Sequence, residues 1–73
     1  MAIVTTSTAT ELAAAIEIVG RYRERVAALA TPHLGSDRED LLAAIYEAER
    51  SLRTAERALE RAAKVAASGG QRR

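Results

Sequence analysis

Seventy-three residues with no cysteine and a formal charge of +1 leave room for one small domain, with no disulfide and no thiolate metal site. Eleven basic against ten acidic side chains create no global field that would draw in nucleic acid or an anionic membrane. Two tyrosines are the whole aromatic content, so any core must be built from Ala, Leu, Ile and Val.

The opening MAIVTTS has no basic n-region and no long apolar run, which excludes a signal-peptide reading of it and leaves residues 1–7 as a flexible segment. The first helix is predicted over about 10–30. Thr8 with Glu11 three residues on fits a capping box, and Thr10 is a rival N-cap. Gly20 falls in mid-helix, where it costs about 1 kcal/mol against alanine, and suggests a close helix crossing. Arg23 sits near the edge of the apolar face, where it either snorkels to water or pairs with a glutamate across the interface.

The loop, 31–36, carries Pro32, the single histidine His33 and Gly35. A lone loop histidine with no carboxylate or serine partner nearby reads as a surface residue. The second helix is predicted over about 37–67, opened by a capping box of Ser36 and Glu39, with Asp37 and Asp40 complementing the helix dipole. A tail, 68–73, is expected to be disordered. The short connection makes the two helices antiparallel neighbours, so the fold class is all-α, a helical hairpin of two long helices.

On the second helix Leu41, Ile45, Ala48, Leu52, Ala55, Leu59 and Ala62 keep an unbroken 4-3 spacing, a heptad seam of alternating large and small residues. Leu12, Val19 and Val26, interleaved with Ala15, Tyr22 and Leu29, give the partner seam. The apolar surface is wider than one line of contact can hide. The expectation is therefore a homodimer, two hairpins closing into an antiparallel coiled coil or four-helix bundle. In its packing this alternation resembles the small plasmid repressor of primer, a dimeric four-helix RNA binder. The resemblance is one of packing only and carries across no binding motif.

Away from the seam, Tyr46, Arg50, Arg53, Arg57, Arg61 and Lys64 form one stripe along the second helix, flanked by Glu49, Glu56 and Glu60. The simplest reading is a solvated face held by i,i+4 pairs, Glu49 to Arg53 and Glu60 to Lys64. The alternative is a row of cations that meets an acidic partner or nucleic-acid phosphates, with Tyr46 stacking on a base.

No nucleophile–base pair, paired carboxylate, phosphate loop or metal-ligand cluster appears, so no enzymatic activity and no cofactor are expected. No apolar stretch approaches the roughly 20 residues of a membrane span, and the expected location is cytoplasmic. The expected function is that of a non-enzymatic interaction protein whose first partner is itself and whose second is another protein. Nucleic-acid binding, or service as accessory subunit or antitoxin in an obligate hetero-complex, is the alternative.

Overall fold

The computed structural model describes residues 7–68. The expected flexible N-terminal segment and C-terminal tail lie outside the described residues, except for Ser7 and Ser68. Helix α1 runs Thr8–Ala28, a 3-10 turn follows at Thr31–His33, and helix α2 runs Glu39–Ala67. The two helices pack against each other as an antiparallel hairpin, and no strand occurs among the described residues.

Neither helix starts where the sequence pattern placed it. Ser7, in extended conformation, caps α1: its Oγ accepts the Thr10 N–H at 3.1 Å and donates to Thr10 Oγ1 at 2.9 Å. Thr8 is already helical, so the cap falls one position earlier than expected, and the Glu11 N–H that Thr8 was expected to satisfy bonds the Ser7 carbonyl instead. At the other end the ladder tightens, with Leu29 N–H bonding Val26 O and Ala30 N–H bonding Ala27 O. Pro32 enters at the start of the 3-10 turn, where a missing N–H costs nothing.

The chain then reverses through a tight turn. Ser36 N–H bonds the His33 carbonyl at 3.1 Å, Leu34 is extended, and Gly35 adopts φ +79°. A positive φ at the third position is the type II requirement, and glycine meets it without steric cost. Ser36 does not form the expected box with Glu39. Its Oγ accepts the Arg38 N–H and donates to the His33 carbonyl, so it braces the turn and α2 begins two residues later than predicted. Arg38 is the N-cap residue without a side-chain cap, and Asp40 Oδ1 accepts the Leu41 N–H at 2.8 Å.

At 1.5 Å per residue, the 21 residues of α1 and 29 of α2 span about 32 and 44 Å. The third principal dimension of the Cα trace is only 11 Å. The chain is therefore one helix layer thick, whereas a self-sufficient domain stacks at least two layers around a core. Burial follows from that shape. Ala30, 3% exposed, is the single fully buried residue among those described, and every other core-facing side chain is half-buried.

Candidate interaction surfaces

Burial separates the predicted seam into two rows. Leu12, Val19 and Val26 on α1 and Leu41, Ile45, Leu52 and Leu59 on α2 are half-buried against the opposite helix. Ala48, Ala55 and Ala62 are exposed. Inside the hairpin the second contact row of α2 is instead Glu49, Glu56 and Ala63, all half-buried. The alanines of the seam therefore do not contact α1 within the hairpin: the helix is rotated so that the leucine row points at α1 and the glutamates flank it on the other side.

The rotation is explained by Arg23. Its Nε donates to Glu56 Oε1 at 2.8 Å, and its guanidinium lies 3.6 Å from Glu49 Oε2. Arg53 donates to the same Glu49 oxygen from the next turn. Two carboxylates and two guanidiniums thus form a chain across the seam, the inner three side chains being only 16–23% exposed. The Glu56 hydrogen bond is the main reason the Arg23 guanidinium holds its proton more tightly than usual. Gly20 lies beneath this cluster, and a Cβ there would come within 2.9 Å of Glu56 Oε2. The mid-helix glycine makes room for a carboxylate rather than for a crossing backbone.

All members of the predicted stripe, Tyr46, Arg50, Arg53, Arg57, Arg61 and Lys64, are exposed. Among the described residues Arg53 has an acidic partner; Arg50, Arg57, Arg61 and Lys64 have none within 4.0 Å, and the expected Glu60–Lys64 pair is not made. Glu49 and Glu56, which flank the stripe in the sequence, are turned inward and paired with Arg23 and Arg53. Arg23, Arg53, Glu56, Arg57 and Glu60 line a shallow groove beside the stripe.

On α1 and at its C-cap several large apolar side chains face water: Ile18 is 48% exposed, Tyr22 55% and the cap residue Leu29 58%. Arg25 lies over the Tyr22 ring at 5.5 Å from its centroid, a cation–π contact. His33 is half-buried in the 3-10 turn, and no group of three or more His, Cys, Asp or Glu that could hold a metal occurs among the described residues. No described helix is long and apolar enough to cross a membrane. No family model, curated protein or solved structure matches the chain.

Proposed function

We propose that the protein is a non-enzymatic interaction module: a homodimeric four-helix bundle that presents its outer helix faces to another protein. One observation carries this reading. A hairpin one layer thick, with a single fully buried residue and large apolar side chains near 50% exposure, is half of a core. Small chains compensate for a deficient core by staples, metals or association, and this one has no cysteine and no metal cluster among its described residues. The test is absolute mass by light scattering on the eluting peak, with absorbance read at 260 and 280 nm. The reading expects twice the 7.8 kDa chain mass with no excess at 260 nm. A monomer at micromolar concentration that also captures no protein partner sinks it.

The unpaired cations of α2 favour a second reading, a nucleic-acid regulator. With Glu49 and Glu56 taken up by Arg23 and Arg53, four cations remain along one rigid helix, and dimer symmetry doubles them. Such binding falls steeply with salt, because each neutralised phosphate releases counterions. It predicts retention of an RNA or DNA oligonucleotide at low salt that is lost in Arg50→Glu with Arg57→Glu. Absence of retention at low salt ends this reading.

A further inference from the structure

The hairpin has two unlike broad faces. Helix phase at about 100° per residue, with the leucine row directed at α1, puts Ala48, Ala55 and Ala62 about a quarter turn to one side of that contact and Tyr46 and Arg53 about a quarter turn to the other. On α1 the same construction sends Ala15, Tyr22 and Leu29 to one side and Gly20 and Glu24 to the other. Because the helices are antiparallel, Tyr22 and Leu29 share a side with the alanine row. Gly20 shares one with Glu56 and Arg53, in agreement with the closeness of Gly20 to the Glu56 carboxylate.

One side of the layer is therefore the more apolar, with Arg21 and Arg25 bordering it. It carries a ridge of large side chains on α1 (Tyr22 and Leu29, with Ile18 at the rim) beside a furrow of alanines on α2, ending in Val65, which is 63% exposed. The other side carries the Arg23–Glu56–Glu49–Arg53 chain and the unpaired cations. We propose that a second copy of this chain docks on the apolar side, its α1 ridge seated in the alanine furrow of the first copy's α2. This inference rests on the dimeric reading above and names the surface that makes the dimer.

Three observations select a second copy as the occupant. The face is self-complementary: a two-fold axis parallel to the helices puts ridge over furrow twice and leaves every neighbouring pair of helices antiparallel. Its size is adequate. Helices of about 32 and 44 Å set side by side at about 9 Å present a patch of about 600–800 Å², close to the roughly 800 Å² per partner of a standard stable interface. Finally, burying the opposite side would strip water from three cations, Arg50, Arg57 and Lys64, with no compensating carboxylate within 4.0 Å in the hairpin. The apolar ridge is bordered by two, Arg21 and Arg25, the second already packed on the Tyr22 ring, so the apolar side is the one that docking covers at lower cost.

The absence of native cysteine makes single-thiol probes clean. Ala55→Cys and Ala62→Cys place a thiol on the proposed face, and Arg57→Cys places one on the opposite side. Each is alkylated with iodoacetamide at a concentration where mass shows a dimer, and again after dilution to monomer. The thiols at 55 and 62 are expected to react at least tenfold more slowly than that at 57 in the dimer, and to lose this protection on dilution. Should either alanine variant lose helix by circular dichroism, Ala48→Cys supplies the same comparison. A chain that is dimeric by mass, with all three thiols equally reactive or with only position 57 protected, overturns the face and leaves the dimer standing. A monomeric parent chain overturns the dimeric reading and the face with it.

Discussion

Gly20→Ala sets two effects of known sign against each other. Alanine in place of a mid-helix glycine stabilises by about 0.8–1 kcal/mol through backbone entropy. The new Cβ, however, meets Glu56 Oε2 at 2.9 Å, inside the closest approach that real Cβ atoms tolerate. The obstruction is the end of a flexible side chain, so Glu56 can withdraw, but in doing so it strains the 2.8 Å hydrogen bond from Arg23. In a Glu56→Ala background nothing obstructs the methyl group. There the full propensity gain is expected, about 1 kcal/mol, which for a domain of this size raises the melting temperature by about 4–8 °C. In the parent the gain is smaller by whatever the Arg23 contact gives up. A double-mutant cycle followed by thermal unfolding with circular dichroism measures that difference directly. Equal gains in the two backgrounds would refute the placement of the Glu56 carboxylate over Gly20.

Ala55→Leu leaves the isolated hairpin unaffected, because Ala55 is exposed there, but overpacks the proposed dimer by about 1–3 kcal/mol, read as a weaker dimer dissociation constant. Ser7→Ala removes the observed N-cap and costs about 1 kcal/mol in thermal unfolding, whereas Thr8→Ala, which removes no capping bond, leaves the midpoint near the parent's. Asp40 has its pKa lowered, first by the hydrogen bond from Arg38 and then by the Leu41 N–H. A depressed carboxylate contributes stability above its ordinary pKa that disappears as pH falls through the lowered one. The stability gap between the parent and Asp40→Asn therefore closes on acidification across that window, a small effect because the side chains are largely exposed.

The two helices and their antiparallel arrangement were legible because periodicity and the Pro32–Gly35 break are local signals, repeated over many turns. The caps were less legible. Ser, Thr and Asp crowd both helix starts, and the choice among Ser7, Thr8 and Thr10, or between a capping box and a turn brace at Ser36, depends on backbone angles that composition does not encode. The heptad pattern identified Leu41, Ile45, Leu52 and Leu59 as inward-facing, but it could not say which flank of that row meets α1. A 4-3 seam points along the bisector of two contacts, and a hairpin satisfies only one of them. The signal that resolves the choice lay outside the apolar pattern, in Arg23. A single cation at the edge of an apolar face needs carboxylates across from it, and Glu49 and Glu56 are the ones spaced a heptad apart on the matching flank.

The central claim is that this hairpin is half of a core and that association supplies the other half. Melting temperature against chain concentration tests it most directly, because a fold completed by a second copy is stabilised by mass action. A hundredfold change in concentration is worth about 2.7 kcal/mol; against an unfolding entropy of about 0.3 kcal/mol/K for two 73-residue chains, it shifts the midpoint by about 9 °C. A rise of that order with concentration is the predicted result. A midpoint unchanged over the same range, in a chain that sediments as a monomer, would contradict the account.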